Sequence, residues 1–394
     1  MRHRLLCLAR TQQGGQCQNY RDTCPIKAHR QSRGQSGIAL PTVSIGQGVS
    51  GAGGGDDSPL IDNLSLFRDV VAETASAYAI SSNRIETDYW LVRTLHSWLT
   101  AVGDHRIPRG YPNPNKPIEL QSVGRVVFGG GTSLSAAWGI TERWSQDIDL
   151  ILDPAQGTTP KQMRQACRKG AEAAARRIGC GFKETSRSPG HFFFVFRDRE
   201  RDEVSSFDIA YRAVEPPLWV QKVPVMSMIG RVCGPELLEA YPELGGFKFN
   251  TLGPGTTAMN KLLAQTEMSA SGDLASIRGR ARDVYDLACI AIHADDFEGH
   301  IGRDSKALLW VAESWAYRGA MRPEGGFASI KSFDPSTREH EALAEGYEEV
   351  ISGIVWGEEI PLQEAIALAV SLDPGPAELP PPLEPSPLVA YPRN

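Results

Sequence analysis

The sequence predicts an α+β protein with helices in front, a mixed-sheet core in the middle and a mainly helical C-terminal domain behind it. Three observations carry this. Apolar residues recur at helical spacing over 61–78 and 85–102; short apolar runs bounded by Gly and polar residues read as strands at 125–128, 148–152, 192–196 and 206–211; and beyond Pro254 the period becomes helical again, over 256–267, 282–293, 306–317 and 339–354. Within the core, 129–131 reads as a glycine turn, 133–138 as a short helix and 161–178 as a longer one.

The ends are of a different kind. Residues 1–58 hold ten of the chain's 39 glycines with many Gln and Ser and no sustained apolar period, so they are expected to be a disordered extension or an overlong gene start. Gly46, Gly48 and Gly51 spell G-x-G-x-x-G there, but Gly53, Gly54, Gly55, Asp56 and Asp57 follow where a phosphate-binding fold needs an amphipathic helix. Residues 373–394 contain eight prolines and read as an extended tail. The expected organisation is therefore 1–58 extension, 59–235 helical lead-in plus core, 236–372 helical domain and 373–394 tail.

Composition excludes several classes. The longest apolar runs, near 191–196 and 287–292, fall far short of the roughly 18–20 residues of a membrane span, and the basic start of the chain lacks a signal-peptide core, so a cytoplasmic protein with no membrane partner is expected. Seven cysteines, at 7, 17, 24, 167, 180, 233 and 289, include no C-x-x-C pair and no His at zinc-ligand spacing, which fits free thiols in a reducing compartment. A net charge of -6 argues against a generally basic nucleic-acid coat and says nothing about a local cationic groove.

The informative segment is Phe128-Gly-Gly-Gly-Thr-Ser-Leu, followed after a short helix by Arg143-Trp-Ser-Gln-Asp-Ile-Asp-Leu. A Gly-rich turn between strand and helix brings backbone N–H groups close to a phosphate, with the helix dipole and the Thr132 or Ser133 hydroxyl adding attraction. Asp147 and Asp149, two apart on a strand, are expected to face the same side and share divalent cations, with Ile148 turned into the core. Such a pair suits two-metal chemistry, in which one ion activates the attacking hydroxyl and the other neutralises departing pyrophosphate. Asp208, an isolated acid in a short apolar strand, is the candidate third metal ligand; a strand-edge ion-pair partner is its other reading. A Gly turn or a D-x-D alone is a common feature; strand, Gly turn, helix and acidic strand in this order specify a nucleotide site.

In these residues the sequence resembles the AbiEii/AbiGii nucleotidyltransferase-like toxin family, a branch of the polymerase-β superfamily found in bacterial toxin-antitoxin and phage-defence loci. Its members show G-G-T-x-L, then R-[FW]-S-x-D-[IL]-D, a helical Lys, and an R-D-x-Y-D-L helix. These stand here as Gly130 to Leu134, Arg143 to Asp149, Lys261, and Arg282 to Leu287, so the resemblance spans roughly residues 120–295. It implies a polymerase-β-type core in which Asp147 and Asp149 bind metal and Gly130, Gly131, Thr132, Ser133 and Ser145 hold the triphosphate. It further implies that Lys261 contacts nucleotide phosphates and Asp283 is a further active-site acid. Read from spacing alone, Lys261 is an exposed helix lysine and Arg282 with Asp286 an i,i+4 pair; Asp283 and Asp286 share a face, so at least one must meet solvent, a cation or a pocket. Gln146, Trp144 and the additional Gly129 depart from the commoner pattern without removing a ligand.

The expected reaction is Mg²⁺- or Mn²⁺-dependent transfer of a nucleoside monophosphate from an NTP to an acceptor. By resemblance the acceptor is the tRNA 3' end or another RNA, and the partner a cognate antitoxin that acts by binding or by modifying Ser145. Arg278, Arg280 and Arg282, or the helix bearing Arg164, Arg168, Lys169, Arg176 and Arg177, could meet RNA phosphates; both sets also read as solvated faces. Nucleotidylation of a protein or a small molecule such as an antibiotic is the competing enzyme class, and a non-catalytic binding module the third, which intact Asp147 and Asp149 oppose.

Overall fold

The computed structural model describes residues 59–102, 106–108, 122–145, 147–154, 160–184, 191–197, 202–211, 220–297 and 322–374. The expectations for the extension at 1–58, the helix at 306–317 and the tail from 375 onward lie outside these residues, as does Gln146.

The described residues open with a 3-10 turn at Leu60–Asp62, helix α1 (Leu64–Tyr78) and helix α2 (Ser82–Val102). Asn63 interrupts the first expected helix because its side chain accepts the Leu66 N–H at 3.3 Å and so starts α1 afresh. Strand β1 (Arg106–Pro108) is followed by β2 (Ser122–Gly129), which runs directly into helix α3 (Gly130–Ala136); the expected turn at 129–131 is therefore one residue, Gly130, with φ +68°. Next come β3 (Ile148–Pro154), α4 (Pro160–Ile178), β4 (Gly181–Glu184), β5 (His191–Arg197), β6 (Asp202–Tyr211) and β7 (Val220–Val225). Two short helices, α5 (Met228–Val232) and α6 (Pro235–Ala240), precede β8 (Phe247–Leu252). The remaining elements among the described residues are helices: α7 (Pro254–Ser271), α8 (Leu274–Gly279), α9 (Ala281–Ile292), α10 (Arg338–Ile354) and α11 (Leu362–Ser371), with short 3-10 turns between them.

The sheet order is β4-β5-β6-β3-β2-β8-β7, with β1 paired to β2. It is mixed: β2 pairs antiparallel with β3 and parallel with β8, and β3 pairs parallel with β6. The alternation of side chains along a strand sorts its residues between two faces. Val126, Phe128, Ile148 and Leu150 pack with Leu91, Leu95 and Trp98 of α2 and Ala171, Ala174 and Ala175 of α4, whereas Val127 and Ile151 pack with Leu252 on the other side. A second core lies among the later helices, where Leu262, Val284, Leu287, Leu343 and Ile366 meet, and Leu134 of α3 enters it. Helix α3 is thus the piece that sheet and helices share.

Candidate active site

The site is built where β2 ends. The register sets Gly129 of β2 opposite Asp149 of β3, and Asp149 level with Asp208 of β6. Ile148 and Leu150 take the face packed on α2 and α4, so Asp149 emerges on the other face, where α3 begins. Its carboxylate lies over Gly130: a Cβ on that residue would sit 1.7 Å from Asp149 Oδ2. A Cβ on Gly131 would sit 2.2 Å from Arg143 Nη2 and 3.3 Å from Asp286 Oδ2. The two glycines are therefore needed for the close approach of a carboxylate and a guanidinium to the backbone.

Asp147 differs from expectation in one respect. It precedes strand β3 instead of lying within it, and its carbonyl accepts the Thr132 hydroxyl, which also lies 2.8 Å from Ser145 Oγ. Thr132 thereby pins the acidic segment to the first turn of α3, and Ser133 Oγ donates to Gly130 O at 2.8 Å within that turn. The Asp147 side chain is 32% exposed, with Arg282 Nη2 3.8 Å away.

Behind this rim lies a buried ionic cluster. Arg143 Nε and Nη2 reach Asp286 Oδ1 and Oδ2 at 2.5 and 2.6 Å, and Nη1 donates to Trp144 O at 3.0 Å. Lys261 Nζ lies 2.5 Å from Asp283 Oδ1 and 2.8 Å from Asp286 Oδ2, and Arg280 Nη1 3.2 Å from Asp283 Oδ2. Arg143, Lys261, Asp283 and Asp286 are all buried. Burial alone would raise the two carboxyls; Lys261 and Arg280 around Asp283, and Arg143 and Lys261 around Asp286, hold both below the ordinary carboxylate range. Burial would likewise lower the Lys261 ammonium, and Asp283 with Asp286 keeps it above its usual value. All four groups stay charged near neutrality, and removing one partner of such a pair costs about 3–5 kcal/mol because the other charge is left uncompensated.

Several pairings differ from those that spacing suggested. Asp286 does not pair with Arg282 one turn before it; it faces Arg143 and Lys261, and Arg282 turns to Asp147. Lys261 is buried, and both Asp283 and Asp286 face a cation. Arg278 engages Glu345 and Glu349 of α10, and Arg168 pairs with Glu172 one turn on, so these members of the two basic sets already have carboxylate partners. Sequence spacing assigns Arg143 no partner, although a charged residue on the apolar face of a helix, as Asp286 is within Tyr285-Asp-Leu-Ala, signals a buried one.

Arg143 is held from the C-terminal side as well. It forms a bridge with Val355, Trp144 N donates to Ile354 O at 2.9 Å, and Trp356 N donates to Glu142 O at 3.0 Å. Arg84 lies over the Trp144 ring, 5.3 Å from its centroid.

The metal question is one of donor chemistry. Among the described residues no three His, Cys, Asp or Glu side chains are gathered as a metal site, and Asp208 enters through its backbone register. The Asp149 carboxylate over the glycine turn and the partly exposed Asp147 carboxylate two residues before it are hard oxygen donors, which fit Mg²⁺ or Mn²⁺ and not a soft thiophilic ion.

A mixed sheet whose central strand runs into a glycine-started helix, with an Asp-x-Asp segment leading into the adjacent strand, has the plan of a nucleotidyltransferase core. The family model described as nucleotidyl transferase AbiEii toxin, type IV TA system, matches residues 121–318, just over half of the chain, and the chain belongs to this family. It is a nucleotidyltransferase toxin of a type IV toxin-antitoxin system, which implies an antitoxin partner. Among solved structures it is similar to MenT4, a nucleotidyltransferase toxin from Mycobacterium tuberculosis H37Rv, at 18% identity over 77% of this chain and 93% of that one, TM-score 0.41. It is also similar to JHP933 from Helicobacter pylori, at 13% identity over 74% of this chain and 94% of that one, TM-score 0.32. No curated protein matches the chain. Among the described residues, no helix is long and apolar enough to cross a membrane.

Proposed function

We propose that this enzyme transfers a nucleoside monophosphate from an NTP to the 3' end of tRNA in the bacterial cytoplasm, so that toxicity is loss of translation. The observation that supports this best is the joining of Asp147, Ser145 and the start of α3 by one hydroxyl, that of Thr132, with the Asp149 carboxylate lying over Gly130. Acid and phosphate-binding turn are then one rigid unit. Asp147 and Asp149 would hold Mg²⁺ or Mn²⁺, with Asp208 level with Asp149 in the register as the third donor. When bound, the divalent ion supplies positive charge against the departing pyrophosphate and lowers the pKa of the attacking hydroxyl. The chain's own contribution is placement. Backbone N–H groups at the start of α3 are the donors for the triphosphate, and the Ser133 and Ser145 hydroxyls, held at Gly130 O and Thr132, shape the turn around them. Lys261, Asp283 and the groups around them fix the positive potential behind it, and Arg282 at the rim meets the acceptor's phosphates.

The acceptor is tested by incubating purified protein with each α-labelled NTP and total tRNA, either untreated or periodate-oxidised at its 3' end. Label on untreated tRNA alone is expected. Label on oxidised tRNA would move the acceptor elsewhere on RNA, and label on protein would replace this reading by protein nucleotidylation.

A further inference from the structure

We infer that Arg143 is a positioning residue for Lys261: by filling Asp286 it cancels one of the two carboxylates facing the ammonium and leaves the charge of Lys261 to act at the glycine turn. A single oxygen carries the argument. Asp286 Oδ2 is 2.6 Å from Arg143 Nη2, 2.8 Å from Lys261 Nζ, and 3.3 Å from where a Cβ on Gly131 would stand. Lys261 faces Asp283 and Asp286 together; without Arg143 only Lys261 and Arg280 would oppose them, and the cluster would fall from one net positive charge to none beneath the turn that must accept an anion. With Arg143, three cations meet two carboxylates, Arg280 standing at the edge.

Geometry gives the guanidinium no latitude. It is 2% exposed, both Asp286 oxygens and the Trp144 carbonyl take its N–H groups, and Gly131 lies against Nη2. Lysine cannot reproduce this, since one ammonium does not fill both oxygens of a carboxylate in a fork. The backbone of Arg143 is set by the 354–356 segment, which lies beyond the residues matched by the family model, so the C-terminal helices help fix the site through Arg143. This deepens the nucleotidyltransferase reading and rests on it for the use of the Lys261 charge.

The test uses the full chain in two arms. In the first, calorimetry measures binding of ATP, GTP, CTP and UTP to wild type, Arg143→Met, Asp286→Asn and Arg143→Met/Asp286→Leu. Charge balance predicts that Arg143→Met weakens the preferred NTP at least tenfold, that Asp286→Asn tightens it, and that the double variant, whose buried pair is replaced by apolar groups, returns to within about threefold of wild type. A mere core brace predicts that both single variants weaken binding in step with their loss of melting temperature, and that result overturns the inference. The second arm needs no nucleotide. The Lys261 ε-carbon resonance, assigned in ¹³C-lysine-labelled protein by its loss in Lys261→Met, should move in Arg143→Met, or in Arg143→Lys if the former does not fold. An unmoved resonance overturns the inference. A wild type that binds no NTP while the resonance moves refutes the nucleotide reading and leaves the Arg143–Lys261 link standing.

Discussion

Replacing Gly131 by alanine probes the closest packing in the site. The added methyl would stand 2.2 Å from Arg143 Nη2 and 3.3 Å from Asp286 Oδ2. Gly131 has no positive φ, so alanine's backbone preference does not oppose the change and contact alone decides it. A guanidinium nitrogen at the surface would swing away, but Arg143 is 2% exposed and bound to both Asp286 oxygens. Full loss of a partner from a buried pair costs about 3–5 kcal/mol; a displaced but not deleted guanidinium keeps part of that, leaving a cost of about 3 kcal/mol. Glycine to alanine in a helix returns at most about 1 kcal/mol through backbone entropy. The net expectation is destabilisation by about 2 kcal/mol, a fall in Tm of roughly 4–8 °C on the scaling for domains of roughly 150–250 residues. The control is Gly279→Ala, where a Cβ meets nothing within 4 Å and φ is not positive, and where a small gain of about 0.5–1 kcal/mol is expected. Urea unfolding followed by tryptophan fluorescence, with thermal melts alongside, measures both. Equal stabilisation by the two substitutions would refute the claim that Arg143 is immobile.

The other expectations are narrower. Burial pushes the Asp88 carboxyl up to about 6 against the Met228 N–H and Arg231, so wild type should lose stability as pH rises from about 4 to about 6, by up to roughly 3 kcal/mol. Asp88→Asn should lack that loss, and its advantage in urea midpoint should grow between pH 4 and 7.5; a constant difference would contradict the assignment. Asp283 is held below its ordinary value, so its contribution is present above about pH 4 and vanishes as pH falls through its folded value. The stability gap between wild type and Asp283→Asn should accordingly stay flat from pH 8 to 5 and close only in stronger acid, whereas a gap that widens as pH falls through about 6 would show a buried carboxyl without its cations. Thr132→Val keeps the buried shape but strips the Asp147 carbonyl and Ser145 of their shared partner, with an expected loss of about 1–3 kcal/mol and a larger relative loss of transfer activity. Stability and activity that fall by the same free energy would speak against a positioning role for that hydroxyl.

The parts legible from the sequence are those with a clear period. Helices α2, α4, α7, α9 and α10 and strands β2, β3, β5 and β6 lie where apolar spacing puts them, because each carries apolar residues over a stretch long enough to leave a pattern. Strands β1, β4, β7 and β8 have no counterpart among the strands that apolar spacing predicts: β1 and β4 are only three and four residues long, β7 carries Pro224 and lies at the sheet edge, while the alternation Phe247-Lys-Phe-Asn-Thr-Leu of β8 is a usable signal. Local motifs located Gly130, Gly131, Thr132, Ser133, Ser145, Asp147 and Asp149 within one neighbourhood, since β2, α3 and β3 are sequential and paired. The ionic cluster was not legible in the same way. Arg143 and Asp286 are separated by 143 residues, and spacing along α9 suggested an Arg282 partner that the packing does not use. Nor could any local pattern reveal that the 354–356 segment holds Arg143 in place, because its bonds are made by main-chain atoms.

Asp147 and Asp149, with the glycine turn, form the proposed metal-dependent nucleotidyl-transfer site. The most direct measurement compares label transfer from α-labelled NTP by wild type and by Asp149→Asn, with and without Mg²⁺, after circular dichroism and thermal melts have shown that both fold. Transfer is expected from wild type only when Mg²⁺ is present, with a loss of several orders of magnitude in Asp149→Asn. A folded Asp149→Asn with undiminished transfer would contradict that assignment.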